Sequence, residues 1–192
     1  MAVNVSNIVV GEATIKVGDS ANATTISAMD GFTDLGATQN GVEISWEPDM
    51  VDIEIDQFGD AARIVQSKVK VMVKTTMAEA TLNNLALAWN YDSVGTTDVV
   101  ANNDGANTKT FLFGAQTVFP YEKALVIQGY APGTTAGATK TRKFYTKRAI
   151  SMESTTLTMK RAEASVFAVG FRILPKVEDT GYEYGKIIDQ TA

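Results

Sequence analysis

Apolar and polar residues alternate most strictly between Gly41 and Asp60, in the stretch GVEISWEPDMVDIEIDQFGD. Before Pro48, Val42, Ile44 and Trp46 face one way and Glu43, Ser45 and Glu47 the other. After it, Val51, Ile53 and Ile55 alternate with Asp52, Glu54 and Asp56. Successive strand side chains point to opposite faces, so the pattern predicts a two-strand ribbon, apolar on one face and carboxylate-coated on the other. Pro48 cannot donate to a ladder, so a bend, a bulge or a turn is expected there.

The same period of two recurs along the chain. Ala13, Ile15 and Val17 alternate with Glu12, Thr14 and Lys16, and Gly18-Asp19 ends that strand. Small polar residues from Ser20 to Asp30 predict a loop, and Asp30-Gly31 a turn. A short strand over Phe32 to Thr38 follows, with Asn40-Gly41 as a tight hairpin turn into the ribbon. From Ile64 to Lys74, Val65, Val69, Val71 and Val73 form one face, and Lys68, Lys70, Met72 and Lys74 the other. This lysine stripe is placed to oppose a carboxylate stripe on a neighbouring strand.

One segment has helical period. Thr76-Met77-Ala78-Glu79 matches a capping box, and Leu82, Leu85, Ala86 and Trp89 then share one helical face ending near Asn90. Residues 91–109 read as a long loop and 131–141 as a flexible tip. Strands are expected at 109–114, 123–130, 142–150, 153–160 and 166–174, the last stopped by Pro175. Residues 1–10 read as an N-terminal arm and 175–192 as a C-terminal arm anchored by Tyr182, Tyr184, Ile187 and Ile188. The sum is one domain over 1–192, mainly β (α+β): a two-sheet sandwich or barrel with one flanking helix, long loops and terminal arms.

Charge changes this picture. The 192 residues carry a net charge of −5, but residues 1–62 hold eleven acids against Lys16, while 63–192 hold sixteen bases against eleven acids. Seven acids fall between Gly41 and Asp60 with no base among them. Charge separated in this way pairs within a fold or between its copies, and the acidic third argues against a grip on nucleic acid. No run of 18 apolar residues predicts a membrane span, and the opening residues lack a basic segment followed by an apolar core, so no signal peptide is expected.

Candidate chemistry is sparse. With neither Cys nor His, disulfides, thiolate nucleophiles, His-based triads and the usual zinc sites are excluded. The ribbon's acids form a row with no aromatic platform nearby in sequence, which favours a solvated β face over a glycosidase pair. Asn102-Asn103-Asp104-Gly105 resembles part of a calcium loop, but Val100 stands at the first ligand position and no Glu follows until Glu122. No phosphate-binding loop or nucleophile elbow occurs. The expected inventory is therefore no catalytic residue, no metal and no cofactor.

The order of parts resembles the major tail tube proteins of long-tailed bacteriophages. The likeness runs through the Asn-Gly lead into VEISWEPDMVDIEIDQFGD, the strand and helix VKVMVKTTMAEATLNNLALAWN, the ALVIQGYAP strand and the closing VFAVGFRILPK. The resemblance implies six subunits closing a ring whose inner wall is a continuous β-barrel, with rings stacked into a tube through which DNA leaves the capsid. It makes Glu43, Glu47, Asp52, Glu54 and Asp56 lumen candidates, their charge keeping phosphate from sticking. Lys68, Lys70, Lys74, Lys140, Arg142, Lys143, Lys147 and Arg148 become candidates for pairing with acids of the next subunit or ring. The loops at 91–109 and 131–141, with both arms, become candidates for ring-to-ring contact. The partners implied are further copies of the chain and tape-measure, tail terminator and tail-tip proteins, in a virion assembled in the host cytoplasm. Two alternatives stand beside it: a β-sandwich binding or adhesion module, and a tube ring of a related contractile or secretion system.

Overall fold

The computed structural model describes residues 11–56, 59–91, 99–101, 109–111, 120–134, 139–159, 161, 164–179 and 181–190. Its elements follow in the order β1 (Thr14–Asp19), α1 (Ile26–Asp30), β2 (Thr33–Asp34), β3 (Thr38–Ile53), β4 (Arg63–Met77), α2 (Leu82–Ala88), β5 (Val99–Ala101), β6 (Lys109–Phe111), β7 (Lys123–Tyr130), β8 (Thr141–Ser151), β9 (Phe167–Ile173) and β10 (Lys186–Asp189). A 3-10 turn spans Ser20–Asn22. The chain is mainly β with a minor helical share, as its period-two alternation predicts.

Eight strands form one antiparallel sheet in the order β2-β1-β7-β8-β9-β4-β3, with β10 added on β8; β5 and β6 pair separately. β8 is the corner. One of its edges pairs with β7, while the other pairs with β10 at residues 142–145 and with β9 at 149–151. A strand that changes partner partway lets the sheet turn back over itself. The two ends then meet, because Leu35 N donates to Ile15 O and Ala78 N donates to Ala37 O, each at 2.9 Å. The two expected sheets are therefore a single sheet rolled barrel-like about one core.

That core gathers Ile15 and Val17, Val71 and Val73, Leu125 and Ile127, Phe144, and Phe167, Val169, Phe171 and Ile173, closed by Leu87 and Ala88 of α2. Ala124, Val126 and Tyr145 face the opposite way, against Ala23 and Met29. β7 is thus buried on both faces, which explains its unbroken apolar run ALVI.

Several local expectations change. The segment 20–30 holds α1, capped by Thr25, whose hydroxyl accepts from Ala28 N at 3.2 Å; with Met29 its sole buried residue, its sequence carries no helical stripe. The cap of α2 is Thr81, accepting from Asn84 N at 3.2 Å, and not Thr76. Thr76 instead continues β4 opposite Ala168, and Glu79 accepts from Ala37 N at 2.9 Å. The predicted helical face is also too narrow: Leu82 is exposed, whereas Leu85, Ala86, Leu87 and Ala88 are all buried. Replacing Thr81 by alanine is expected to cost about 1 kcal/mol in chemical denaturation, with Thr81→Ser close to wild type.

Asn40-Gly41 is not a hairpin turn. Both residues take positive φ, 65° and 75°, and sit inside β3 as a bulge between the pairs Gln39↔Thr76 and Val42↔Thr75. The left-handed conformation that Asn-Gly signals is present, but it serves a bulge. Residues 153–159 are not a strand, and the C-terminal segment is anchored through β10 in the sheet and by Tyr184 and Ile188 on the core, while Tyr182 and Ile187 are exposed. The N-terminal segment 1–10, the Asn102–Gly105 stretch and most of the loops at 91–109 lie outside the described residues.

Candidate functional site

The acidic stretch is one continuous strand, β3, whose partner is β4 rather than its own second half. Pro48 lies opposite Val69 without interrupting the strand, and the irregularity comes one residue later, between Asp49↔Lys68 and Met50↔Gln66. Ser67 on β4 is the extra residue, so that strand carries the bulge. β9 pairs with β4 only over Val71 to Met77. Among the described residues, no strand pairs with the other edge of β4 at 63–70, nor with the free edge of β3. From Trp46 outward the two strands form a ribbon that projects about 23 Å from the body, at roughly 3.3 Å per residue. Trp46 marks the root, edge-on to Tyr184 with ring centroids 5.9 Å apart.

Directly opposed residues of an antiparallel pair share a face. One face therefore carries three opposed acid–lysine pairs: Glu43 with Lys74, Glu47 with Lys70, and Asp49 with Lys68. The Lys70 ammonium lies 3.2 Å from the Glu47 carboxylate, and its hydrogen bond holds that carboxyl below the usual range. The lysine stripe opposes the carboxylate stripe as the alternation predicts. The acids are consequently not an unpaired row.

The other face carries Val42, Ile44, Trp46 and Pro48 against Thr75, Val73, Val71 and Val69. Near the body it covers the core, with Val71 and Val73 buried. Beyond the body it is open: Trp46 is 58% exposed and Met50 53%. After the bulge the apolar character changes sides. Val51 and Ile53 fall by alternation on the face of Glu43 and Glu47, while Asp52 falls with Trp46. The five acidic candidates thus do not share a surface. Glu43 and Glu47 lie together, Asp52 lies opposite, and Glu54 and Asp56 stand past the strand's end. The expectation that the apolar face packs wholly inside the subunit also fails. The reason is that the halves flanking Pro48 differ in parity, 42-44-46 against 51-53-55, and one strand cannot bury both.

The other basic candidates find partners in the same chain. The Arg142 guanidinium donates two 2.6 Å bonds to Asp189, and Arg148 donates to both oxygens of Glu122 at 2.7 and 2.6 Å and to Pro175 O. Lys147 reaches Asp179 at 2.9 Å, and Lys143 reaches Asp30 at 2.8 Å beside the Tyr145 hydroxyl. For Lys140 it is the backbone N–H, not the ammonium, that donates to Thr134 Oγ1 in the turn after β7. These pairs bind β8 to α1, β10 and the segments before β7 and after β9. Within the chain, Arg142, Lys143, Lys147 and Arg148 are thus already paired with carboxylates. Sequence reasoning missed the four carboxylate partners because they lie 26 to 113 residues away along the chain.

The ion pairs give stability a pH dependence. Hydrogen bonds from Lys143, Arg148 and Arg142, respectively, hold the carboxyls of Asp30, Glu122 and Asp189 below their ordinary values of 3.8, 4.5 and 3.8. A carboxyl depressed on folding contributes stability that is complete above its unfolded pKa and is lost as pH falls through its folded one. Melting temperature is therefore expected to stay level from about pH 8 to pH 5.5 and to fall below about pH 4.5. Glu122→Gln should lower it at pH 7 and flatten the acid limb, a pair of slopes that scanning calorimetry reads directly.

Elsewhere a crevice opens between α1, β8 and the chain before β10, lined by Thr25, Met29, Tyr145, Lys147, Tyr182 and Lys186 among others. Its Lys147 is held by Asp179 and stands 5.9 Å from the Tyr182 ring centre. Among the described residues, no group of three or more Asp or Glu is placed to hold a metal ion. The ribbon stands apart from the rest of the fold, with its edges unpaired among the described residues and Trp46, Met50 and Ile64 uncovered. No protein-family model matches the chain, and no curated protein matches it in sequence.

Proposed function

We propose that this protein is a structural subunit that closes into rings and stacks into a tube, as in the tail tubes of long-tailed bacteriophages. One observation carries the reading. The β3–β4 ribbon extends past the body with both backbone edges unpaired among the described residues, and with Ile44, Trp46, Met50, Val51, Ile53 and Ile64 exposed. Long apolar edge strands invite pairing with another chain, and a protein that must remain single blunts them. Neighbouring copies that continue the sheet would satisfy the edges and cover those side chains together.

In this reading the ribbons form the inner wall, with the face of Glu43, Glu47 and Asp49 toward the lumen. Each of these acids stands beside a lysine, so a passing duplex meets alternating signs and no basic patch able to hold it. The acidic surplus lies at the far end, at Asp52, Glu54, Asp56 and Asp60. The remaining partners are those of such a tube: a tape-measure protein inside, with terminator and tail-tip proteins at its ends, in the virion. A ring of a contractile tail or secretion system shares this architecture and differs by a surrounding sheath.

Negative-stain microscopy of the purified protein at rising concentration tests the proposal. Hollow tubes or stacked rings are the expected result. A lasting monomer at high concentration, with the ribbon intact, would sink it and favour a binding module.

A further inference from the structure

We infer that Asn40 is a site of spontaneous covalent modification: in the folded subunit its side-chain amide closes on the Gly41 backbone nitrogen, and water then leaves aspartate or isoaspartate in its place. This goes beyond the proposed tube and concerns the single chain. Asn-Gly occurs once in the sequence, at 40–41. Asparagine is a chemically labile residue, and a glycine after it leaves the attacking nitrogen without a neighbouring side chain to shield it.

The fold leaves this pair open to reaction. Both residues are exposed, and neither has a partner across the ladder, since they are the surplus of the bulge between Gln39↔Thr76 and Val42↔Thr75. No atom lies within 4 Å of where a Gly41 side chain would begin. Among the described residues, no hydrogen bond holds the Asn40 side chain. Thr75 Oγ1 donates to Gly41 O at 2.9 Å, which anchors the next peptide group and not the one that reacts. The charged groups bordering the hollow beside the pair are Glu43, Lys74 and Glu153. Of these the Lys74 ammonium favours the negative charge that develops as the ring closes.

Asp30-Gly31 has the same following glycine and the opposite surroundings. The Asp30 carboxylate accepts from the Lys143 ammonium at 2.8 Å and the Tyr145 hydroxyl at 2.9 Å, and Gly31 N donates to Ala28 O at 3.3 Å. Ring closure there has to break all three bonds.

At Asn40 the step balances without any oxidant or reductant. The Gly41 amide gives its proton to hydroxide, its nitrogen attacks the side-chain carbonyl carbon, and the side-chain nitrogen leaves as ammonia. The five-membered imide then takes up one water. Cleavage at the side-chain carbonyl gives aspartate with the backbone as before. Cleavage at the backbone carbonyl gives isoaspartate, in which the chain runs through the former side chain and gains one methylene. Either product adds a negative charge beside Lys74. Isoaspartate also lengthens β3 at the bulge, between the ladder pairs on its two sides, and so re-aims the ribbon against the body.

The test holds the purified, folded protein at physiological temperature and follows position 40 by peptide mass spectrometry, with enzymatic methyl labelling of isoaspartate. A gain of about one dalton is expected at Asn40, at least tenfold faster than at Asn22 or Asn84 and faster as pH rises from about 6 to about 9. Its rate should lie within about tenfold of that of a synthetic peptide spanning residues 37–44. A slower rate in the protein shows that the fold protects the site and overturns the inference. Thr81→Ala, which raises the unfolded population about fivefold, should react at the wild-type rate. A matching fivefold acceleration would mean that only the unfolded chain reacts, and overturns it equally. Asn40→Gly keeps the positive φ and should abolish the gain; a gain that persists in that peptide assigns it to another residue. None of these outcomes depends on whether copies of the chain associate.

Discussion

Replacing Phe171 by alanine is expected to lower unfolding free energy by about 3–5 kcal/mol, enough to remove a large part of a typical domain's stability. Phe171 is fully buried at the centre of β9, opposite Val73 on one side and Ser151 on the other. It therefore sits where the sheet passes from β8 to β4. The cavity left by the ring would be walled by backbone ladders on both flanks, which collapse poorly around a void. Urea denaturation followed by tryptophan fluorescence measures the loss. A cost below about 1 kcal/mol would mean that the sheet does not close about this residue. Ala168, exposed on the same strand, serves as control: Ala168→Ser should stay within about 0.5 kcal/mol of wild type.

Shortening the ribbon should have the opposite profile, with assembly abolished and the subunit left folded. Glu47 and Lys70 are directly opposed, so the residues between them can be replaced by Asn-Gly, whose preference for positive φ suits a two-residue hairpin loop. Among the described residues of the removed segment, Val69 alone packs against the core, and Lys70, Val71 and the β9 pairing remain. Melting temperature should move by no more than a few degrees. The oligomers expected of wild type in sedimentation should disappear, a drop of at least a hundredfold in association. Tubes that form from the shortened chain would place the contacts elsewhere and overturn the reading of the ribbon.

The comparison of these two variants separates what the sequence determined from what required the fold. Alternation located the strands at Ala13–Val17 and Ile64–Lys74, because a half-buried strand writes its two faces into consecutive residues, whereas apolar runs marked Lys123–Tyr130 and Val166–Leu174. The lysine stripe also pointed to its acidic partner, since a spacing of two on both strands lets lysines and carboxylates share one face. The ribbon was harder. Its two apolar runs differ in parity, and nothing local distinguishes a hairpin of two strands from one long strand facing a bulged partner.

Ion pairing was equally hidden. Glu122 and Arg148, or Asp30 and Lys143, are charges whose meaning depends on which strands lie side by side, and sequence separation erases that. The helix cap shows the same contest on a smaller scale. Thr76 and Thr81 both satisfy the local rule, and β4 claimed Thr76 because the ladder with β9 continues to Met77.

By itself the sequence determined the mainly β class, the strand faces, the need for positive φ at Asn40-Gly41 and the excess of acid before residue 62. All of these depend on neighbours along the chain. Only the tertiary structure decided that one sheet rolls shut through β8, that most basic candidates have partners inside the subunit, and that β3 and β4 outrun β9. That last fact leaves two edges of opposite charge open, because a strand's edge is free or paired according to which strand lies beside it, and no local pattern encodes that.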